Sequence, residues 1–261
     1  MSKLIFLEKI LRLMAVAILR KYNPRIVSVT GSVGKTSAKE AIFTVLASRY
    51  RVRRNEKNYN NEIGIPLTII GAQSGNRSVR GWIKVVLKWA WVMISPLEYP
   101  EVLILEMGAD RPGDIGYLTG FIKSEVGVVT DISMSHIEFF QNIDELAKEK
   151  GTLVKKLEDK NLAILNVDNP QVAKLKEQLR PNLITIGFSE EAEMRATDPA
   201  FVYSEDNYGG NDQDIKGLSF KLNYKGTTIP VRLNNILAKH QIYSALAGAA
   251  VGTWFGLNLV D

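Results

Sequence analysis

Residues 30–36 read TGSVGKT and carry the residue types that bind phosphate groups. In such a loop the backbone N–H groups and the N-terminus of the following helix point at phosphate oxygens. Lys35 adds a positive charge toward the β- and γ-phosphates, and the hydroxyl of Thr36 can ligate Mg²⁺. Val29 stands where the common eight-residue form of this loop has glycine. We predict that the nucleotide phosphates contact the following residues: Gly31, Ser32, Val33, Gly34, Lys35, Thr36 and Ser37.

Two further polar residues follow apolar runs that are typical of buried strands. Glu106 ends the run VLILE at residues 102–106, and His136 follows the run VGVVTDIS. Because the carboxyl ends of parallel strands open into one crevice, both side chains are predicted beside the phosphate loop. A carboxylate near bound phosphates coordinates Mg²⁺ directly or through water. The alternative interpretations are a solvated loop carboxylate and a histidine that only supports the structure.

The elements that must position these residues alternate between short apolar strands and helices. Strands are predicted at residues 25–30, 102–105, 126–130, 162–166 and 183–186, and helices at 37–48, 143–157, 171–179 and 239–255. This alternation predicts an α/β fold whose parallel sheet has helices on both faces. Residues 192–233 have alternating patterns separated by glycines, which predicts a small antiparallel β insertion.

The N-terminal residues 1–23 are predicted to form an amphipathic helix. Its apolar stripe consists of Leu4, Leu7, Leu11, Met14 and Ile18. The longest uncharged run, residues 13–19, is too short to cross a bilayer. An apolar stripe alone does not identify the surface that covers it, so two interpretations remain open. The helix packs on its own domain, or it lies on the inner face of the membrane.

Two other segments also allow two interpretations. Residues 81–95 form a very apolar helical pattern with three tryptophans, for which we expect packing against the sheet. Contact with a membrane is the alternative, because indole side chains favour membrane interfaces. A basic cluster consists of Arg49, Arg51, Arg53, Arg54 and Lys57. It is expected to be a solvated face, with binding of a substrate phosphate as the alternative.

Composition excludes several classes of site. The 261 residues contain no cysteine, which rules out disulfides, thiolate zinc sites and cysteine nucleophiles. This composition fits a reducing cytoplasm. A net charge of +5 suits anionic ligands such as nucleotides, and also a membrane surface. No pattern typical of nucleic-acid binding is present, so we expect no nucleic-acid partner.

The motifs together resemble a known family. GSVGKTSAKE, NYNNEIGIPLT, LEMGAD, SHIEFF, ELAKEKG, LNVDNP and KHQIYSALAGAA occur in the order seen in Mur ligases. The resemblance covers residues 25–256 and is strongest to the branch that adds D-alanyl-D-alanine. It implies that residues 24–261 form the central ATP-binding domain of that family. It also implies that the uridine-nucleotide-binding domain and the C-terminal ligase domain are absent from this chain.

The resemblance also implies roles for individual residues. Lys35 and Thr36 match the phosphate-binding lysine and the Mg²⁺ ligand, and Glu106 matches a second Mg²⁺ ligand. His136 matches a histidine associated with a second metal ion. Lys150 matches a lysine that many members carbamylate, which would turn a cation into an anionic metal ligand. The alternative for Lys150 is an ordinary surface lysine.

Further matches concern the nucleotide and the substrate. The family pattern assigns Asn60 and Asn61 to the substrate side, and Asn166 and Asp168 to a segment near the nucleotide. His240 and Gln241 match an adenine-side pair in which the second residue is usually asparagine. Glutamine keeps the amide donor and acceptor of asparagine on a longer side chain.

The implied function is ATP-dependent ligation in peptidoglycan precursor synthesis, with ATP and Mg²⁺ as cofactors. ATP would phosphorylate a muramoyl-peptide carboxylate, and the amine of D-alanyl-D-alanine would attack the acyl phosphate. We expect a cytoplasmic protein, with peripheral contact at the inner membrane left open. Two alternatives are a Mur-like subunit that amidates a lipid-linked precursor and a nucleotide-binding module without ligase activity. The first commonly carries a cysteine zinc ribbon, and this chain has no cysteine.

Overall fold

The computed structural model describes residues 3–56, 59–96, 98–134, 139–203 and 215–260. Within these residues nine strands form one sheet, in the order β2-β3-β1-β4-β5-β6-β7-β8-β9. The strands are Arg25–Thr30 (β1), Val52–Arg54 (β2), Val102–Glu106 (β3), Val126–Val129 (β4), Leu162–Asn166 (β5), Asn182–Gly187 (β6), Met194–Tyr203 (β7), Ile215–Tyr224 (β8) and Thr227–Asn234 (β9). Pairing is parallel from β2 to β7 and antiparallel from β7 to β9.

Helices cover both faces of this sheet, as the sequence predicts. They are Lys3–Tyr22 (α1), Lys35–Ala47 (α2), Gly64–Ile70 (α3), Val79–Ile94 (α4), Asp114–Thr119 (α5), Ile143–Lys155 (α6), Pro170–Ala173 (α7) and Gln241–Trp254 (α8). A 3₁₀ turn, Lys174–Gln178, extends α7. The single helix predicted at 171–179 is therefore a short α-helix followed by a tighter turn.

Alternate side chains of the central strands enter different cores. Val27 and Val29 of β1 belong to the core that α2 and α8 cover. Ile26 and Leu103 point to the opposite face, which α1, α3 and α4 cover. This period of two is what strand geometry requires of a sheet that is buried on both faces. The central strands are thereby fixed on both sides, and the loops at their carboxyl ends have a rigid support.

The predicted antiparallel region is confirmed, and it continues the edge of the parallel sheet. The first residues of β7 pair in parallel with β6, where Ile186 lies opposite Met194. Strands β8 and β9 then continue the same sheet. The five predicted parallel strands are confirmed within one residue at each end. The sequence interpretation missed β2, α3 and α5, all of which are seven residues or shorter.

Three residues of the α1 stripe are buried within this chain. Leu11, Met14 and Ile18 are at most 7% exposed and lie in the core shared with α3 and α4. Packing on its own domain is therefore the interpretation that the structure supports for this stripe. No helix within the ranges described above is both long and apolar enough to cross a membrane.

Helix α4 is only partly buried. Only Val85 and Val92 of α4 are fully buried, so one side of this apolar helix faces outward.

The arginines of the basic cluster contact other residues of the chain. Arg53 donates to the carbonyl oxygens of Thr68 and Ile69, and Arg54 pairs with Glu40. Arg51 lies within ion-pair distance of two glutamates. These guanidinium groups have partners inside the chain, which disfavours a role in binding a substrate phosphate. Lys57 lies outside the described residues.

Candidate active site

The phosphate loop leaves β1 at Thr30 and enters α2 at Lys35. Gly34 has φ of 82°, a left-handed conformation that glycine adopts without a steric penalty. A Cβ atom at Gly31 would lie 2.1 Å from Oγ1 of Thr130. The two glycines therefore allow a tight turn against β4 that brings the N-terminus of α2 to the carboxyl edge of the sheet.

Residues that follow β4 hold the loop in place. The backbone N–H of Ser32 donates to the carbonyl oxygen of Asp131 at 2.7 Å. The hydroxyl of Thr130 donates to the carbonyl oxygen of Val33 at 2.6 Å. The Ser32 hydroxyl donates to the carbonyl oxygen of Ser133 at 2.9 Å. These bonds fix the loop before any nucleotide arrives, which lowers the entropy lost on binding.

Two lysines converge on the loop. The Nζ atoms of Lys35 and Lys150 each donate to the carbonyl oxygen of Gly31 at 2.9 Å. Burial lowers the pKa of Lys35. Burial, followed by repulsion from Lys35, lowers the pKa of Lys150 to about 8. The site thus concentrates positive charge beside the N-terminus of α2, where phosphate oxygens would be neutralised.

Glu106 is held from three directions. Its Oε2 atom accepts a hydrogen bond from the Thr36 hydroxyl at 3.0 Å and lies 3.3 Å from Nζ of Lys39. The side chain of Asn55 accepts from the backbone N–H of Glu106 at 2.8 Å and donates to its carbonyl oxygen at 3.0 Å. Asn55 also donates to the carbonyl oxygen of Tyr59 at 2.9 Å. The carboxylate is therefore fixed beside the first turn of α2.

The donor set fits a Mg²⁺ ion that arrives with a nucleotide. Thr36 and Glu106 supply one hydroxyl and one carboxylate, and Mg²⁺ typically takes one or two protein carboxylates and completes its shell with phosphates and water. Across the part of the chain that the structure describes, no three acidic, histidine or cysteine residues cluster as a closed metal site. Oδ1 of Asp131 is buried, and no described residue donates a hydrogen bond to it. It is a further acceptor at this edge.

The nucleotide side of the site is built from β5, β6 and α8. Asp168 accepts hydrogen bonds from the backbone N–H groups of Phe188 and Ser189 and from the hydroxyl of Tyr243. Asn166 donates to the carbonyl oxygen of Thr130 at 2.9 Å. A cavity of about 110 Å³ is lined by Val33, Gly34, Thr130, Asp131, Asn166, Ile186, His240, Tyr243 and Ser244. Asn166 and His240 thus line one cavity together with Val33 and Gly34 of the loop.

Gln241 and Asp168 have structural partners. The Gln241 amide donates to the hydroxyl of Ser37 at 3.1 Å and so ties α8 to α2. Asp168 orients the turn after β6 and the ring of Tyr243, which stacks edge-on against Phe188. In this arrangement both residues position the walls of the small cavity.

A larger cleft of about 990 Å³ opens on the other side of the loop. Its lining includes Asn61, Gly108, Asp110, Arg111 and Tyr117. The Oδ1 atom of Asn61 accepts from the backbone N–H of Gly64 at 2.9 Å, at the start of α3. The backbone carbonyl oxygen of Asn60 accepts from Gly108 at 2.8 Å. Asn61 therefore borders the cleft, and Asn60 holds Gly108, which forms part of its wall.

The structure brings together the predicted residues of the phosphate loop, Glu106 and Lys150. His136 lies outside the described residues, and its predicted role is untested. Lys39, Asn55, Asp131 and Tyr243 were missed. Lys39 had one available signal: it lies four residues after Lys35 and so one helical turn further along α2.

Comparison with known proteins is consistent with this geometry. Residues 92–252 match the family model described as the Mur ligase middle domain. The chain is 28% identical over 251 residues to the UDP-N-acetylmuramoyl-tripeptide–D-alanyl-D-alanine ligase of Bacillus subtilis, covering 96% of this chain and 46% of that protein. The ligase of the same name from Mycobacterium leprae is 28% identical over 242 residues, covering 90% and 41%. The chain thus spans about half the length of these relatives.

Solved structures share the fold. The MurF ligase from Thermotoga maritima in complex with ADP superposes with a TM-score of 0.75 at 23% identity, covering 96% of this chain and 50% of that one. Folylpolyglutamate synthase from Mycobacterium tuberculosis, solved with ADP and AMPPCP, has a TM-score of 0.62 at 17% identity and covers 95% and 60%. At these identities the likeness shows a common architecture.

Proposed function

The chain belongs to the Mur ligase family, and on that premise we propose that it is the ATP-binding part of a carboxylate–amine ligase in peptidoglycan precursor synthesis. The proposed substrates are a muramoyl-peptide carboxylate and the amine of D-alanyl-D-alanine, which the names of the two relatives suggest. ATP and Mg²⁺ are the proposed cofactors. The reaction uses ATP and precursors made inside the cell, so we propose that it takes place in the cytoplasm.

One observation carries this proposal. The half-buried ammonium group of Lys35 donates to the phosphate-loop carbonyl of Gly31, and a hydroxyl–carboxylate pair, Thr36 and Glu106, lies at the N-terminus of the same helix. The ammonium group of Lys35 suits phosphate oxygens, and the hydroxyl–carboxylate pair suits the metal ion that accompanies a nucleotide. Such a site stabilises charge on a transferring phosphoryl group, which is the main task in this chemistry.

The proposed reaction balances as two transfers. A carboxylate oxygen of the substrate attacks the γ-phosphorus of ATP, and ADP leaves. The amine nitrogen then attacks the acyl carbon, loses a proton, and inorganic phosphate leaves as the amide forms. Thr36 and Glu106 would hold Mg²⁺, whose charge would stabilise the phosphates. Lys35 would hold the γ-phosphate, and the backbone N–H groups of the loop would orient it.

Lys150 is proposed to be carbamylated, as the family resemblance implies. The reaction joins the neutral Nζ amine to carbon dioxide and releases a proton, leaving an anionic carbamate. A pKa of about 8 supports this proposal, because a sizeable fraction of the amine is neutral near physiological pH. The position of Nζ on the phosphate loop would put the carbamate within reach of a second metal ion, with His136 as its proposed partner.

Two binding sites are proposed around the loop. The small cavity that includes Asn166, His240 and Tyr243 would receive the adenosine part of ATP, with Asp168 and Gln241 fixing its walls. The large cleft beside Asn60 and Asn61 would receive the muramoyl peptide. Arg111 lines this cleft and supplies a guanidinium group for a substrate carboxylate.

The test has two stages. In titration calorimetry with Mg²⁺ present, the 261-residue chain should bind both ADP and ATP, and each nucleotide should compete with the other.

Ligation is then assayed on the protein purified from its own cells, so that any further segment or subunit is retained. Muramoyl-tripeptide, D-alanyl-D-alanine and ATP should give a ligated product by mass spectrometry, with equimolar ADP. Product only from a lipid-linked precursor and ammonium would favour the amidation alternative. Nucleotide binding without either product would favour the non-ligase alternative.

A further inference from the structure

The outward side of α4 is an apolar surface on an otherwise well-packed molecule. Its exposed large side chains recur at three- and four-residue spacings and so share one face of the helix. These residues, which we name the outer face of α4, are Val79, Ile83, Val86, Leu87, Trp91 and Ile94. Leu87 is 63% exposed, Trp91 58% and Ile94 81%. Single exposed apolar residues are common, whereas a contiguous row along a helix marks a contact surface.

The inner side of α4 packs against and hydrogen-bonds to the rest of the domain. These contacts prevent the helix from rotating to bury its outer face. Val85 and Val92 are buried in the core shared with α1 and α3. The indole N–H of Trp89 donates to the carbonyl oxygen of Met14 at 3.0 Å. Lys21 of α1 donates to the carbonyl oxygen of Met93 at 2.8 Å. These contacts fix the rotation of α4, and the apolar row is held outward.

The charges beside this row have one sign. Arg80, Lys84 and Lys88 are exposed and line one edge of the outer face of α4. The sequence of α4 contains no aspartate or glutamate. Glu98, which follows the helix, lies 3.5 Å from the guanidinium of Arg51. The surface is therefore an apolar row with a basic edge. A binding partner that complements it has an apolar region bordered by negative charge.

The neighbouring helix α1 has the same character. Phe6 and Leu13 are 59% and 69% exposed, on the side opposite the buried stripe. Lys9 and Arg20 are exposed on that same side. The two helices are in direct contact through Trp89 and Met14.

We propose that the outer face of α4 docks on the surface of a lipid bilayer that contains anionic headgroups. Leu87, Trp91 and Ile94 would enter the boundary between headgroups and acyl chains, as in helices that lie in a membrane interface. Arg80, Lys84 and Lys88 would contact the anionic headgroups. This inference does not depend on the ligase function, because it uses none of the active-site residues.

A vesicle flotation assay of the 261-residue chain tests the proposal. The chain should float with vesicles of phosphatidylcholine and phosphatidylglycerol, and much less with phosphatidylcholine alone. Replacing Leu87→Glu and Trp91→Glu together should lower the partition coefficient by at least about tenfold, since two large apolar groups no longer enter the interface. The matched control is Leu237→Glu, an exposed apolar residue outside α4, which should leave partitioning unchanged.

A second pair of variants tests the basic edge. Lys84→Gln with Lys88→Gln should lower partitioning roughly 30-fold, because each lysine near an anionic surface contributes about 1 kcal/mol. The pair Lys160→Gln with Lys176→Gln changes net charge equally, at exposed sites away from α4, and should have a much smaller effect. Lipids brominated on the acyl chain should quench Trp91, and the Trp91→Phe variant should lose most of that quenching while still floating.

Three results would overturn the proposal. The first is that the wild-type chain fails to float with vesicles that contain phosphatidylglycerol at low salt. The second is that the Leu237→Glu control loses as much flotation as the variant with Leu87→Glu and Trp91→Glu. The third is self-association in lipid-free buffer, seen by analytical ultracentrifugation and abolished by Leu87→Glu with Trp91→Glu. That last outcome would assign the outer face of α4 to contact with a second copy of the chain.

Discussion

The ammonium group of Lys39 lies 3.3 Å from Oε2 of Glu106, and both side chains are at most 4% exposed. Lys39 also donates to the carbonyl oxygen of Asn55 at 2.9 Å. Two charges removed from water in this way are stable only as a pair, because each alone would carry an uncompensated desolvation penalty. The metal-ligand candidate of this site is therefore already neutralised by a residue of the same chain.

Loss of one partner of this pair should destabilise the fold more than loss of both. We expect Lys39→Met to lower the free energy of unfolding by about 3–5 kcal/mol, since Glu106 is left as a buried unpaired carboxylate. The double variant Lys39→Met with Glu106→Gln should recover most of that loss. Urea denaturation of the two single variants and the double variant measures the interaction. If the double variant loses as much unfolding free energy as the two single variants combined, the two side chains are energetically independent.

Nucleotide affinity should depend on Lys35. Its removal deletes a charged contact to phosphate that no other loop residue supplies, so Lys35→Ala should weaken ATP binding by roughly 10- to 150-fold. Calorimetry with ATP and Mg²⁺ measures the change. Lys155→Ala, at an exposed position near the end of α6, serves as the control and should bind ATP like the wild type. Equal affinity in the two variants would contradict the phosphate role of Lys35.

Glu106 should determine how strongly Mg²⁺ improves nucleotide binding. In Glu106→Gln the amide lacks the anionic charge, so ADP affinity with and without Mg²⁺ should become nearly equal. The control is Glu40→Gln, because Glu40 also lies near Lys39, at 3.6 Å, but is half exposed. That control should keep the wild-type response to Mg²⁺. An undiminished response in Glu106→Gln would remove this residue from the metal site.

Lys150 should give the stability of the chain a distinctive pH dependence. Its pKa is lowered to about 8 in the folded chain, from an ordinary value of 10.5. Between these two values the unfolded chain binds more protons at this residue than the folded chain does, so stability rises with pH across that window. The penalty of the buried charge is fully present below pH 8.

Lys150→Met removes this titration. Relative to that variant, the wild type should gain stability as pH rises from about 8 toward 10, by at most about 1.4 kcal/mol per pH unit. Chemical denaturation at several pH values, in buffers free of bicarbonate, measures the difference. The exposed neighbour Lys148 provides the control Lys148→Met, for which no such difference is expected. A constant difference between wild type and Lys150→Met would show that Lys150 titrates normally.

The loop and its sheet could be predicted from the sequence because their signals are local. A β-branched run, glycines at residues 31 and 34 and the start of a helix together define a phosphate loop within twelve residues. Glu106 was predictable because it ends an apolar strand, and parallel strands share a carboxyl edge. The antiparallel strands were predictable as strands. Their continuity with the parallel sheet depends on the short pairing of β6 with β7, which no local pattern encodes.

Other features depend on contacts between distant parts of the chain. A lysine in a helix normally reaches solvent, whereas Lys39 is buried beside Glu106, 67 residues later, which supplies an opposite charge. Strand β2 is three residues long and contains two arginines, so its composition resembles a solvated turn. For α4 the apolar periodicity predicts a helix, but periodicity cannot distinguish the side that faces the core from the side that faces outward.

The side chain of Asn55 connects the phosphate-loop region with the edge of the large cleft, the two regions proposed to bind different ligands. It forms hydrogen bonds to both backbone groups of Glu106 beside the phosphate loop, and it donates to the carbonyl oxygen of Tyr59, two residues before Asn61 at the large cleft. A ligand in the cleft that displaces Tyr59 would therefore also shift Asn55 and change the position of Glu106. Occupancy of the cleft and occupancy of the nucleotide site are then linked thermodynamically through one amide group. By reciprocity, the factor by which a cleft ligand changes nucleotide affinity equals the factor by which the nucleotide changes affinity for that ligand.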